Sequence, residues 1–307
     1  MCTAYGPPEV LQLTERSSPR LGRNGVRIRV VATAVTASDV LVRGLKFGGW
    51  RRYLLRAVFG WKAPRSILGM IVAGEVEAVG RSVTKFKPGD QVFGMDGFRA
   101  GTYAEEVCWP ATAALALKPA NLTFEEAAAL PYGALLASHF IRRLQLRKGQ
   151  RVLVYGASGA IGTATVQLAR HLGADVTGVC STANLDLVRA LGAGAVIDYT
   201  TDDFTKSGPY DVIFDAVGRR KSAQAMASAG AALATGGILM SVDDGFPRTK
   251  VADLVALQEL AVAGEFRPVI DRAYPLEEIV EAHRYVELGH KKGNVIITVG
   301  TSSTVPA

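Results

Sequence analysis

Short apolar runs alternate with turn signals over the first 120 residues, which is the pattern of a β-rich domain. The runs lie at residues 26–31, 71–79, 91–93 and 103–107, and a Lys87-Pro-Gly-Asp90 turn separates two of them. We therefore predict an irregular, strand-rich first domain over residues 1–120.

From residue 121 the chain alternates helical and strand patterns. Thr123 and Glu126 have the spacing of a capping box, and an alanine-rich helix follows them. Apolar runs typical of strands buried on both faces lie at residues 151–155, 175–180, 195–198, 212–216 and 238–242. Helical spacing between them, as at residues 160–172 and 185–191, predicts a doubly wound parallel sheet over residues 121–265. Residues 266–307 return to a mixed texture, with a helix at 275–288 and a strand at 294–299.

A glycine-rich turn lies between the strand at 151–155 and the helix at 160–172. In this position glycines allow the backbone to approach a pyrophosphate, which the helix N-terminus attracts. We predict dinucleotide binding here; the alternative is a plain glycine turn in a doubly wound sheet. The predicted cofactor-binding residues of the turn are Gly156, Ala157, Ser158, Gly159, Ala160, Ile161 and Gly162.

The end of the second strand of this sheet favours NADPH over NADH. A carboxylate there would hold the ribose 2′-hydroxyl of NADH, but residues 179–184 contain none, and Asp186 is expected to face away on a helix. Small hydroxyl groups can donate to a 2′-phosphate. The residues that could supplement this contact are Tyr199, Arg219, Arg220 and Lys221.

Composition agrees with two globular domains. The chain has 307 residues, of which 49% are hydrophobic, and it contains neither an apolar run long enough to span a membrane nor a signal-peptide pattern, so a cytoplasmic location is expected. Cys2, Cys108 and Cys180 are too far apart in sequence for a disulfide framework or a thiolate zinc site.

Part of the net charge of +7 lies between residues 43 and 65, where basic residues and aromatic residues are interleaved. We interpret this segment as a solvated surface whose arginine stems cover apolar groups. Weak contact with an anionic membrane is the alternative. Nucleic-acid binding is not expected, because no recognised module surrounds the segment.

Together, several motifs of the chain are similar to those of one protein family. The matching pieces occur in order along almost the whole chain, at residues 5–11, 68–80, 86–93, 155–162, 214–218 and 293–299. On these motifs the chain resembles the zinc-independent quinone oxidoreductases of the medium-chain dehydrogenase/reductase superfamily. The resemblance implies a GroES-like catalytic domain (residues 1–120 and 266–307) and an inserted Rossmann dinucleotide-binding domain (residues 121–265).

The resemblance also implies site residues. Ala216, Val217 and Gly218 would run along the nicotinamide half of the cofactor, and Asn294 would approach the nicotinamide end. Ser181 and Tyr199 would lie near the 2′-phosphate. Thr36 would occupy the substrate pocket and is the candidate catalytic residue.

Several positions depart from related patterns. Zinc-dependent relatives carry Cys at the position of Thr36 and His-Glu at Gly69-Met70, and the cysteines of a structural zinc lobe are missing. We therefore expect no metal. Many quinone reductases carry Asn at the position of Thr36 and Tyr at that of Leu41, so this site is more apolar. The chain is short after Asp244, where relatives dimerise through an additional strand, so the sequence leaves the dimer undecided.

The leading hypothesis is an NADPH-dependent oxidoreductase that passes hydride to a small lipophilic quinone or α,β-unsaturated carbonyl. The alternatives are an enoyl-thioester reductase and a non-enzymatic, membrane-associated NADPH-binding adaptor or sensor. None of the four histidines lies in a catalytic motif, and we interpret them as helix-surface or interface residues.

Overall fold

The computed structural model describes residues 1–45, 53, 56, 57, 60, 61, 63, 64, 67–97, 99–245 and 250–300. The chain divides into two compact units. The first unit comprises Met1–Pro131 and the chain from Ile270 onward, and the second is Tyr132–Val269.

The first unit is built on a mainly antiparallel sheet. Its strands are β1 (Gly25–Val35), β2 (Ile71–Val79), β3 (Gln91–Met95), β4 (Glu106–Pro110), β5 (Leu115–Leu117), β11 (Ile270–Pro275) and β12 (Asn294–Thr298). Among the described residues the sheet order is β11-β12-β1-β2-β3-β5, and β4 pairs with β1. Val26, Ile28 and Val30 alternate along β1 and enter one core with Trp109 and Val295. The period-2 pattern of β1 thus directs its apolar face to the core.

The helices of this unit are α1 (Ala37–Gly44), α2 (Phe124–Ala129) and α8 (Ile279–Leu288). The Thr123–Glu126 capping box starts α2, as the sequence predicts. The helix packs on β1, β2 and β12, because its alanines allow close approach to the sheet. The unit boundaries after Pro131 and after Val269 therefore differ from the predicted boundaries after residues 120 and 265.

The second unit contains a parallel sheet of order β10-β9-β6-β7-β8. Its strands are β6 (Arg151–Tyr155), β7 (Asp175–Cys180), β8 (Ala195–Asp198), β9 (Tyr210–Asp215) and β10 (Leu233–Ser241). Its helices are α3 (Pro131–Leu144), α4 (Ala160–His171), α5 (Leu185–Ala190), α6 (Arg219–Ala227) and α7 (Val251–Val262). Val152 and Val154 enter one core cluster and Leu153 another. The strand is therefore buried on both faces, and the mixed α/β fold class is confirmed.

Three local expectations are wrong. The strand predicted at residues 103–107 lies at Glu106–Pro110, because residues 103–105 form a bend. His283 is not a surface residue: its side chain is 0% exposed, and burial lowers its pKa to about 3. The third is Arg43, which was expected on a solvated basic surface but is 0% exposed. It pairs with Glu287 at 2.6 Å and donates to His283 Nδ1 at 3.2 Å.

Arg43 therefore stabilises the packing of α1 against α8 and does not belong to a basic surface. Most of the remaining segment up to residue 65 lies outside the described residues. Within the described part of the chain, no helix is both long and apolar enough to cross a membrane.

Candidate functional site

The glycine turn joins β6 to α4 in the second unit. Gly156 and Ala157 donate their amides to the Val179 carbonyl at 3.0 and 2.9 Å, which attaches the turn to the end of β7. Gly156 adopts a φ of 78°, which favours glycine. The first amides of α4 have no acceptor within the helix and are available at its N-terminus. This is the arrangement that binds phosphate groups.

Gly162 allows the helix to approach the turn. A Cβ built on Gly162 would lie 2.1 Å from the Gly156 carbonyl oxygen, far inside van der Waals contact. Residue 162 must therefore be glycine while the turn keeps this form. The close approach brings the helix N-terminus and the turn to one place, so the residues present fit a pyrophosphate.

Two serines lie together at this site. Asn184 donates through Nδ2 to Ser158 Oγ at 3.2 Å and to Ser181 Oγ at 3.1 Å. Ser158 belongs to the glycine turn and Ser181 follows β7, so one side chain connects two predicted site segments. Asn184 was not among the predicted site residues. Its proximity to Ser181 was visible, but its contact with a residue 26 positions earlier was not.

Tyr199 follows β8 and is 49% exposed. Its ring lies 6.4 Å from that of Tyr155 at the end of β6. The preceding residue, Asp198, accepts hydrogen bonds from the side chains of Thr182 and Thr200, and these bonds lower the pKa of its carboxyl group. The anionic carboxylate of Asp198 therefore contacts residues 179–184, the segment that contains no carboxylate of its own. Two threonine hydroxyls donate to it.

The loop Ala216–Gly218 follows β9 beside the glycine turn: a Cβ on Gly156 would lie 2.4 Å from Val217 Cγ2. Asp215, fully buried, shapes this loop. Its carboxylate accepts from the amides of Val217 and Gly218 at 3.0 and 3.1 Å. It also accepts from Ser222 Oγ at 2.7 Å and Ser241 Oγ at 2.8 Å. This role was not predicted, although an acidic residue at the end of a buried strand is a sequence signal for it.

Thr36 and Asn294 lie in the first unit. β1 and β12 pair antiparallel with Val35 opposite Val295, and the next step of that register places Thr36 opposite Asn294. Both residues are buried. The structure thus brings the two predicted site residues of the first unit to the same end of its sheet.

The Thr36 hydroxyl is engaged by Asp39. Thr36 and Asp39 form a capping box that starts α1: Thr36 Oγ1 donates to Asp39 Oδ2 at 2.6 Å and accepts from the Asp39 amide at 3.2 Å. Burial raises the pKa of Asp39 to about 6, although Thr36, Tyr103 and the Gly69 amide donate to its carboxyl group. While Asp39 is ionised, Thr36 has no hydroxyl proton to donate elsewhere. This helix was not predicted, although its Thr-x-x-Asp spacing is that of a capping box.

Within the described residues, neither metal-ligating side chains nor a cavity points to a second candidate site. Among the described residues, no group of three or more His, Cys, Asp or Glu side chains could hold a metal ion. A cavity of about 920 Å³ lies in the first unit beside Tyr103 and beneath residues 13–19. It is lined by none of the predicted site residues.

Known proteins match both parts of the chain. Residues 22–119 match the alcohol dehydrogenase GroES-like domain, and residues 191–297 match the zinc-binding dehydrogenase family. The NADPH-dependent alkenal/one oxidoreductase of Arabidopsis thaliana is 31% identical over 95% of this chain and 77% of its own length. The mitochondrial NAD(P)H oxidoreductase RTN4IP1 of Mus musculus is 32% identical over 96% of this chain and 87% of its own length.

A solved structure of the quinone oxidoreductase from Coxiella burnetii has a TM-score of 0.81 and 26% identity, and the match covers 97% of both chains. The sequence relatives extend across both units, and the fold agrees over the same extent. The chain therefore belongs to the quinone oxidoreductase-like family of the medium-chain dehydrogenase/reductase superfamily.

Proposed function

We propose that the protein is an NADPH-dependent reductase that transfers hydride to a quinone or an α,β-unsaturated carbonyl without a metal. The observation that carries the proposal is the glycine turn with two serine hydroxyls beside it, Ser158 and Ser181. Bound NADPH supplies a hydride from its nicotinamide ring. A relative that is named an NADPH-dependent alkenal/one oxidoreductase supports both this cofactor and this acceptor class.

The residues that would hold the cofactor divide by role. The turn from Gly156 to Gly162 would bind the pyrophosphate through backbone amides. Ser158, Ser181 and Tyr199 would contact the 2′-phosphate, and the loop Ala216–Gly218 would follow the nicotinamide half. Asn294 would contact the nicotinamide end.

The metal-free part of the proposal rests on the donor set. Thr36, Gly69 and Met70 stand where zinc-dependent relatives carry ligands. Gly69 has a φ of 90°, and a Cβ there would lie 2.4 Å from Thr102 Oγ1. This backbone leaves no room for a ligating side chain at residue 69, so a conjugated acceptor that needs no Lewis acid fits best.

Thr36 is the proposed acceptor contact. A quinone can take its protons from solvent once hydride has arrived. An unsaturated carbonyl needs a proton at carbon or oxygen, and Thr36 can donate one only when Asp39 does not hold its hydroxyl hydrogen. We therefore propose that solvent, or Thr36 beside a protonated Asp39, completes the reduction.

The test is oxidation of NADPH, followed at the nicotinamide absorbance, against quinones, enones and enoyl thioesters in parallel. Turnover of quinones or enones is expected. Turnover of enoyl-CoA alone would assign the protein to the enoyl-thioester reductases; one relative is named a trans-enoyl reductase. Cofactor binding without turnover of any acceptor would refute the enzymatic proposal and favour an adaptor or sensor.

Dimerisation, membrane contact through residues 43–65 and the cytoplasmic location stay predictions. Relatives named as chloroplastic and mitochondrial occur in this family.

A further inference from the structure

Asn184 occupies a position in the second unit that no cofactor-binding motif explains. It is 8% exposed, and its amide group faces two half-buried serines. Both hydrogens of Nδ2 are used, one on Ser158 and one on Ser181. Oδ1 is buried and has no hydrogen-bond partner among the described residues. A reversed amide would instead bury two N–H groups without partners, so the observed orientation leaves fewer unmet groups.

This orientation decides how the serine hydroxyls can act. Each Oγ accepts a hydrogen bond from Asn184, so each hydroxyl hydrogen must point in another direction. No described residue accepts from either hydroxyl, so both hydrogens are available to a ligand. Donors are what a phosphate group requires, because its oxygens accept hydrogen bonds.

The charged groups nearby do not explain phosphate binding. Asp198 is anionic and accepts from Thr182 and Thr200, and Asp186 points to solvent, where it pairs with Arg189 at 2.9 Å. No basic residue lies between Ser181 and Asn184. Within this segment the oriented hydroxyls are therefore the side-chain donors left for a 2′-phosphate.

We propose that Asn184 is a positioning residue for cofactor choice: it turns the Ser158 and Ser181 hydroxyls outward as donors to the 2′-phosphate of NADPH. The inference rests on the proposed function, since it assumes that the glycine turn binds this cofactor. It adds a residue that itself need not touch the cofactor.

The decisive substitution is Asn184→Asp, which preserves shape but converts Nδ2 into an acceptor. Both serine hydroxyls would then turn inward to the carboxylate. Ala183→Asp is the matched control, because residue 183 is exposed on the same turn. This substitution adds the same charge but leaves the side-chain amide of Asn184 unchanged. Calorimetric titration of the full chain with 2′,5′-ADP and with 5′-AMP isolates the 2′-phosphate and requires no turnover.

We expect the wild-type protein to prefer 2′,5′-ADP and Asn184→Asp to lower this preference by about tenfold or more, the effect of one lost charge-assisted hydrogen bond. Retained affinity for 5′-AMP shows that the variant is folded. Ala183→Asp should have a smaller effect. In a Ser158→Ala/Ser181→Ala background, Asn184→Asp should lose most of its effect, because coupled residues are non-additive.

An equal loss in Ala183→Asp and Asn184→Asp, or a full Asn184→Asp effect without the serines, would overturn the inference and leave charge as the cause. An unchanged preference for 2′,5′-ADP in Asn184→Asp would also overturn the inference. The proposed binding of NADPH would then still stand. If the wild-type protein shows no preference for 2′,5′-ADP, the proposed cofactor choice fails and the role of Asn184 fails with it.

Discussion

Asp39 should make the stability of the first unit depend on pH. Its carboxyl group is 2% exposed, and burial raises its pKa from 3.8 to about 6. A raised carboxyl pKa means that the folded chain binds the proton more tightly than the unfolded chain. The stabilisation from this group is therefore complete below about pH 4 and is lost as the pH rises through about 6.

The magnitude follows from the two pKa values. A shift of one pKa unit corresponds to about 1.36 kcal/mol, so complete ionisation of Asp39 costs the folded state ~3 kcal/mol. Between pH 5 and pH 8 the penalty grows by ~1.4 kcal/mol. Asn at this position keeps the size and an acceptor for the Thr36 amide, and it removes the titration.

The assay is urea unfolding of the wild-type protein and Asp39→Asn at pH 5 and pH 8. Tryptophan fluorescence reports on the first unit, because Trp50, Trp61 and Trp109 all precede residue 131. From pH 5 to pH 8 the variant should gain ~1.4 kcal/mol relative to wild type. The comparison between two pH values cancels any fixed effect of the substitution on hydrogen bonding.

The control is Glu105→Gln, which removes an exposed carboxylate from the same unit. It should leave the pH dependence unchanged. If Asp39→Asn follows the same pH dependence as the wild-type protein, Asp39 does not titrate with a raised pKa, and the proposed proton donation from Thr36 beside a protonated Asp39 fails.

Three further substitutions test individual contacts. Gly162→Ala should weaken NADPH binding by about tenfold or more in fluorescence titration, because the new Cβ displaces the Gly156 carbonyl; undiminished affinity would contradict the assignment of the turn. Asp215→Ala should destabilise the second unit by ~3 kcal/mol or more in thermal unfolding, because it leaves four donors without their acceptor; a loss below ~1 kcal/mol would show that these bonds contribute little. Arg43→Met should cost the first unit ~3 kcal/mol in urea unfolding, since Glu287 loses its buried partner; an unchanged midpoint would refute that role.

The sequence predicts well those elements whose burial and hydrogen bonding depend on residues close together in the chain. The run Arg151–Tyr155 is a strand because every central position is buried on both sides of a parallel sheet. The capping box at Thr123 is complete within four residues. By contrast, β11 (Ile270–Pro275) is half exposed and ends in proline, so its residues do not have the composition of a strand and were not predicted as one.

The candidate site was predicted in the same uneven way. Glycine spacing after a buried strand located the turn, because the requirement for a close backbone approach acts on residue type directly. Asp215 and Asn184 were missed because their significance lies in what they contact. Asp215 gathers amides and hydroxyls from three segments, and no local pattern records such a meeting.

The sequence by itself determined where the glycine turn lies and which strands and helices surround it, since hydrophobic period and turn chemistry act over a few residues. It also led to the prediction that Thr36, Gly69 and Met70 replace the ligands of zinc-dependent relatives. Only the tertiary structure decided that the basic Arg43 is buried against Glu287, a residue far away in sequence. It also decided the direction in which the serines beside the turn can donate. Burial and hydrogen-bond direction depend on neighbours that folding brings together, and the order of residues along the chain does not specify them locally.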